Sequence, residues 1–168
     1  MIDIFSSARL KKHKLWGKYP SIQNENEVLQ IKSAGNEIGE GTFAVQPIDK
    51  GDIVCEYKGK LIEVPKHLMK GKWPPDVDLV TKHGNFTFFF KTMDGKGWCL
   101  DAEDSEGFGR KINHSKKDAN VRPIVLNEGE NPKLFFKAMR DIFPGEQLFY
   151  PYGENDPSVI ADHEWLAS

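Results

Sequence analysis

Short β-prone runs, closely spaced turn residues and few helix-period segments predict a mainly β chain of small antiparallel sheets with short helices. Val28-Leu29-Gln30-Ile31, Gly41-Thr42-Phe43-Ala44-Val45 and Asp52-Ile53-Val54-Cys55-Glu56-Tyr57 are such runs, punctuated by Gly and Pro. Branched and aromatic side chains suit a pleated, half-buried surface. Asp94-Gly95 stands between two later runs and signals a hairpin, because glycine accepts the positive φ of a tight reversal. At 168 residues the length corresponds to about one domain with a core of its own.

Taken in order, further strands fit Asn85 to Thr92, Gly97 to Asp101, Val121 to Leu126 and Lys133 to Ala138, with a polar turn from Asn127 to Pro132 between the last two. Helical candidates are Pro65 to Lys70, Ser105 to Lys111 and Pro157 to Leu166. In the last, Asp156 stands at the cap and Pro157 at the first helical position. Before the first strand, Arg9, Lys11, Lys12, His13, Lys14 and Lys18 crowd one stretch with Trp16 and Tyr19, and Pro20 interrupts any helix. That stretch suits either a solvated terminus or a contact with DNA phosphates or an acidic protein surface.

Hydrophobic residues make up 39% and charged residues 29%, a globular balance. No apolar run approaches the roughly 18 residues that span a bilayer, so no membrane association is expected. Met1-Ile2-Asp3-Ile4-Phe5 lacks the basic flank and long apolar stretch of a secretory signal. The net charge of −2 argues against a chain that coats nucleic acid over its whole surface and suits a basic peptide better. Cys55 and Cys99 are too few for a four-cysteine zinc cluster or a multi-disulfide framework, so they are expected as buried core thiols and no metal site is expected.

Ala34-Gly35-Asn36-Glu37-Ile38-Gly39-Glu40-Gly41 lacks the Lys-Ser/Thr of a phosphate-binding loop and leads into a β-prone run, which disfavours a dinucleotide fold. Its glycines suit a tight turn, and equally a backbone that approaches a ligand closely. By composition, Phe86-Thr87-Phe88-Phe89-Phe90 is a core strand. Two segments are more specific: Arg110-Lys111-Ile112-Asn113-His114-Ser115, and, after Arg140-Asp141-Ile142, Gly145-Glu146-Gln147-Leu148-Phe149-Tyr150-Pro151-Tyr152-Gly153. Together they resemble the SET-domain protein lysine methyltransferases. Gly39-Glu40-Gly41, Lys50-Gly51-Asp52 and Glu56-Tyr57-x-Gly59 occur in that family's order. More narrowly, the chain resembles histone H4 tail monomethyltransferases of the Set8 type. Cys99-x-Asp101-Ala102, Gly109-Arg110-x-Ile112-Asn113-His114-Ser115-Lys116 and a closing His163-Glu164-Trp165-Leu166 carry the likeness, which runs from about residue 28 to 166.

The resemblance implies a SET domain of the β-clip type: small antiparallel sheets, a pseudoknot-like threaded segment and a C-terminal helix. Residues 1–26 would be a basic extension, 27–153 the SET domain and 154–168 the C-terminal helix. It further implies transfer of a methyl group from S-adenosylmethionine to a lysine of the histone H4 tail, in chromatin and hence in the nucleus. Ile38, Gly39, Glu40 and Gly41 would hold the donor with Phe86, Asn113 and His114, while Trp165 stacks on its adenine and Arg110 supports the threaded segment. Tyr152 would be the catalytic tyrosine, with Tyr57 and Tyr150 lining the lysine channel. Tyr150 implies a monomethyl product through a hydrogen-bonded water. Asp76, Asp78, Glu103, Asp104 and Glu106 fall in segments that flank the peptide groove.

Three positions depart from the Set8-type pattern: Phe86 replaces Tyr, Pro151 replaces an acidic residue and Glu40 replaces a basic one. They keep a non-catalytic SET-fold interaction module open beside the leading expectation, and a non-histone protein substrate stays open because neither the terminus nor the groove identifies a substrate.

Overall fold

The computed structural model describes residues 25–82, 86–126 and 131–151. A one-turn helix, α1 (Glu25–Val28), leads into β1 (Leu29–Ser33), which is followed by β2 (Glu40–Ala44), β3 (Ile53–Glu56) and β4 (Lys60–Glu63). Then come β5 (Thr87–Lys91), β6 (Gly97–Asp101), the two-residue β7 (Asn113–His114), β8 (Val121–Leu126), β9 (Lys133–Ala138) and the two-residue β10 (Phe149–Tyr150). They form four small sheets. β1 and β2 pair antiparallel, β3-β9-β8 and β4-β6-β5 are three-stranded, and β7 runs parallel to β10.

The three-stranded sheets are antiparallel throughout, as the short, turn-separated runs predict. The Asp94-Gly95 hairpin joins β5 to β6: the Thr92 N–H donates to the Lys96 carbonyl at 2.9 Å, and the Asp94 carboxylate accepts the Thr92 hydroxyl at 2.6 Å. Leu126 pairs with Lys133 across the predicted polar turn, of which residues 127–130 lie outside the described residues. The parallel β7–β10 pair lays the final described strand beside the Asn-His-Ser segment.

The helical expectations need correction. Pro65 to Lys70 forms only a 3-10 turn at Lys66–Leu68, and Ser105 to Lys111 only one at Gly109–Lys111. Both stretches are too short to repay helix nucleation without an apolar face to bury, and the second contains Gly107 and Gly109. A third 3-10 turn, Val77–Leu79, was not predicted. The Pro157 to Leu166 helix and the basic stretch before Pro20 lie outside the described residues.

β9 is the centre of its sheet and is covered on both faces. Leu134 and Phe136 enter the main core with Phe90 and Leu148, whereas Phe135 packs in a second cluster with Ile53, Ile124 and Leu126. Each such side chain contributes about 1.5–3 kcal/mol on burial. Cys55 and Cys99 are buried and free. Burial pushes the Cys99 thiol up to about 12 and the Cys55 thiol upward too, so neither supplies a thiolate nucleophile near neutral pH.

Glu25 is buried, and its carboxylate accepts the Glu56 N–H at 3.2 Å. Burial pushes its pKa up to about 7 from 4.5, against the lowering effects of that hydrogen bond and of Lys58. The folded chain therefore keeps a proton that the unfolded chain releases, so stability falls as pH rises from about 4.5 through 7 and stays lower above it. Glu25→Gln is expected to flatten this dependence and to stabilise by about 1–2 kcal/mol at about pH 8. Urea titrations at about pH 6 and pH 8 measure it; an unchanged slope in the variant would remove Glu25 as the cause.

Candidate active site

The turn before β2 is shaped by two glycines with different physical reasons. Gly39 has φ +84°, the left-handed region that side chains rarely adopt. At Gly41 the constraint is space: a Cβ would run into the Gln147 side-chain oxygen and lie 3.1 Å from Asn113 Nδ2. The bare backbone lets the Asn113 amide donate to the Glu40 carbonyl at 3.1 Å and to Gln147 Oε1 at 2.9 Å. The Thr42 hydroxyl adds a bond to the Phe108 carbonyl at 3.0 Å. β2 is thus stitched to the 108–113 segment.

Phe86 is half-buried beside this seam. Arg110 Cζ lies 4.5 Å and Lys111 Nζ 5.1 Å from its ring centroid, close enough for both cations to interact with the ring's π face. Lys111 also bridges to Glu40 at 3.0 Å. Arg110 donates from Nη1 to the Ala102 and Glu103 carbonyls at 3.2 and 3.1 Å, which anchors the loop before the 3-10 turn. Its Nε is buried without a hydrogen-bond partner among the described residues. Glu40, Phe86, Arg110 and Asn113 therefore share one neighbourhood with Gly39 and Gly41, and Ile38 projects from the same turn with 58% exposure.

The tyrosines meet across an aromatic cluster. Tyr57 packs on Phe88 and Phe136 with centroids 5.4 and 6.4 Å apart, and Tyr150 packs on the same two rings at 5.7 and 5.6 Å. His114 is exposed and lies edge-on to Tyr150 at 6.4 Å, directly opposite it in the β7–β10 pair. Burial first, and then the neighbouring Tyr150 phenol, raise Tyr57 well above the ordinary phenol range. It stays a neutral hydroxyl, able to orient a ligand by hydrogen bonding but unable to act as a phenolate base at neutral pH. Tyr152 and Trp165 lie outside the described residues.

Two contributors escape the sequence. Asn120 is buried, donates to the Gln147 carbonyl at 2.9 Å and accepts the Phe149 N–H at 2.8 Å, so one side chain clamps the strand that carries Tyr150. An isolated Asn after a charged turn carries no signal of this role. Lys111 is the other; only its position next to Arg110 draws notice. Gly109 passes so close to β3 that a Cβ would lie 2.7 Å from the Glu56 carbonyl and from Tyr57 Cα.

Of the acidic residues, Asp76 pairs with Lys72 at 2.8 Å. Asp104 lines a cleft of about 890 Å³ floored by Leu61, Ile62 and Val80, where Glu63, Asp101 and Lys82 also stand. Thr81 donates its hydroxyl to the Asp101 carboxylate at 2.5 Å and closes one wall.

Residues 39–153 match the SET domain family. The histone-lysine N-methyltransferase set-1 of Caenorhabditis elegans is 32% identical over 77% of this chain and 52% of its own length. The crystal structure of CpSET8 from Cryptosporidium superposes with a TM-score of 0.66 at 33% identity, covering 93% of this chain and 71% of that one. The Chaetomium thermophilum complex ctPRC2, solved bound to S-adenosylmethionine, gives 0.54 at 28% identity over 83% of this chain and 16% of that one. The chain spans 36% and 52% of the lengths of the first two curated relatives it matches. A match extending over well more than half of the residues, with the turn, the Asn-His-Ser segment and the strand of Tyr150 all inside it, means that the chain belongs to the SET-domain family.

Proposed function

We propose that this chain is an S-adenosylmethionine-dependent protein-lysine N-methyltransferase that adds one methyl group to a lysine of the histone H4 tail. The observation that carries the reading is the pairing of Tyr57 and Tyr150 around Phe88 and Phe136, one strand away from the Asn113–Glu40 seam. In this reading 27–153 is the catalytic module, 154–168 its closing helix and 1–26 a basic extension that contacts nucleosomal DNA, all within the nucleus.

The residues on the donor side fit the proposed cofactor. A half-buried Phe86 ring offers a flat apolar face, and the unpartnered Arg110 Nε is a donor suited to an anionic or polar group. Ile38, Gly39, Glu40, Gly41, Asn113 and His114 would hold the rest, with Trp165 over the adenine. When bound, S-adenosylmethionine supplies an electrophilic methyl group on a cationic sulfur.

The chain's own part is alignment and deprotonation of the nucleophile. A lysine amine has an ordinary pKa of about 10.4 and attacks only after losing its proton. Entry between aromatic rings disfavours the ammonium by desolvation, and a nearby positive centre disfavours it further, so the proton leaves to solvent without a dedicated base. The neutral hydroxyls of Tyr57 and Tyr150, with that of Tyr152, then orient the amine lone pair, and alignment of this kind supplies much of the rate enhancement. The cleft, where Glu63, Asp101 and Asp104 outnumber Lys60 and Lys82 beside apolar side chains, suits an extended basic peptide. The name of the nematode relative supports a histone as that peptide's source.

The test incubates the protein with labelled donor and, separately, histones, nucleosomes and a cell lysate, then locates labelled lysines by mass spectrometry. One methyl group on an H4 tail lysine is expected. Tyr152→Phe is expected to lower turnover about 100-fold while donor affinity is retained. Label on non-histone proteins alone would sink the chromatin assignment, and no label anywhere would leave an interaction module.

A further inference from the structure

We propose that Glu40 is the counter-ion of the donor site: by neutralising Lys111 it lets the pocket prefer a cationic sulfonium donor over the neutral thioether left after methyl transfer. The inference rests on the donor-site reading above and adds a specificity-determining residue to it.

Two side-chain cations converge on one ring, Arg110 at 4.5 Å and Lys111 at 5.1 Å from the Phe86 centroid. Their polar partners differ. Arg110 bonds to main-chain carbonyls of Ala102 and Glu103, which orient it without cancelling its charge. Lys111 instead ends on the Glu40 carboxylate at 3.0 Å. The lysine is mostly covered, at 22% side-chain exposure, whereas the carboxylate is 56% exposed. The covered member is the one beside the ring, so its charge is poorly screened unless a fixed anion accompanies it.

The main chain that carries the carboxylate is fixed: the Glu40 carbonyl is held by the Asn113 amide at 3.1 Å, and Glu40 pairs with Ser33 where β2 begins. Glu40 and Lys111 together contribute no net charge to the seam. Without the carboxylate, two uncompensated cations would flank Phe86 and raise the potential across the donor site against a positively charged sulfur. Donor and demethylated product carry the same ammonium and carboxylate and differ in charge only at sulfur. They differ in packing only by the transferred methyl group, so the change in their affinity ratio between variants isolates the electrostatic effect.

The experiment measures dissociation constants of S-adenosylmethionine and S-adenosylhomocysteine by titration calorimetry for the wild type, Glu40→Gln, Lys111→Met and the double variant. Glu40→Gln keeps the main-chain carbonyl that Asn113 uses and is expected to shift the affinity ratio against the donor by about three- to tenfold at low salt. The shift should shrink as ionic strength rises. Lys111→Met should move the ratio the other way, and the double variant should return near the wild-type value. Equal weakening of both ligands by Glu40→Gln, or no change in either, would overturn the counter-ion role while leaving the donor site standing. Failure of the wild type to bind either ligand would instead overturn the donor site itself.

Discussion

Replacing Tyr150 by Phe is expected to turn a monomethyl product into di- and trimethyl-lysine. Ring packing and strand pairing hold the residue in position. It is half-buried against Phe88 and Phe136, edge-on to His114, and its strand is clamped by Asn120 and paired with β7. The substitution therefore removes one polar group with little movement of the aromatic wall, at a stability change of about 1 kcal/mol or less. In the proposed channel that hydroxyl would hold a water in the space a methylated amine needs. Losing one such hydrogen bond, roughly 1–1.5 kcal/mol, raises the ratio of higher-methylated to monomethyl product about tenfold. Mass spectrometry of a peptide after many turnovers reads the ratio. Trimethyl product from the wild type, or a purely monomethyl product from the variant, would refute this role.

Gly109→Ala is expected to damage both stability and donor binding. The added Cβ would lie 2.7 Å from the Glu56 carbonyl and Tyr57 Cα and 3.1 Å from the Tyr57 nitrogen, all of them main-chain atoms. That stretch of backbone has no freedom to retreat: the Tyr57 N–H donates to the Leu134 carbonyl at 2.9 Å, and Glu56 is paired with Phe135 in the sheet. The 3-10 turn must move instead, and it carries Arg110 and Lys111 and leads into Asn113. Overpacking of this kind costs about 1–3 kcal/mol, which lowers Tm by several degrees, on the order of 2–4 °C per kcal/mol for a domain of about 150–250 residues. Gly71→Ala is the control. A Cβ there meets nothing within 4 Å, so a change within about 0.5 kcal/mol is expected. Equal Tm values for the two variants would show that the Gly109 contact carries no strain.

The elements most legible in sequence were those whose signal is local. β8, β9 and β6 occupy the predicted spans, because a five- or six-residue run of branched and aromatic side chains already resembles one face of a sheet. Asp94-Gly95 produced the expected reversal. β4 and β7 were not predicted as strands: with four and two residues, they have too little periodicity to show. Their pairing depends on a partner distant in the chain, as Asn113 depends on Phe149.

The candidate site divides along the same line. By itself the sequence determined the β-rich character, the buried thiols, the family and the set of residue types suited to a donor pocket and a lysine channel. Those features follow from local composition, from motif order and from the conformational needs of Gly39. Only the tertiary structure decided that Tyr57 and Tyr150 share Phe88 and Phe136, that Asn120 clamps β10, and that Lys111 meets Glu40 beside Phe86. Each of these contacts joins segments far apart in the chain. Their formation is governed by whole-core packing and by the hydrogen-bonding demands of buried groups, and neither leaves a periodic trace in the residues that meet.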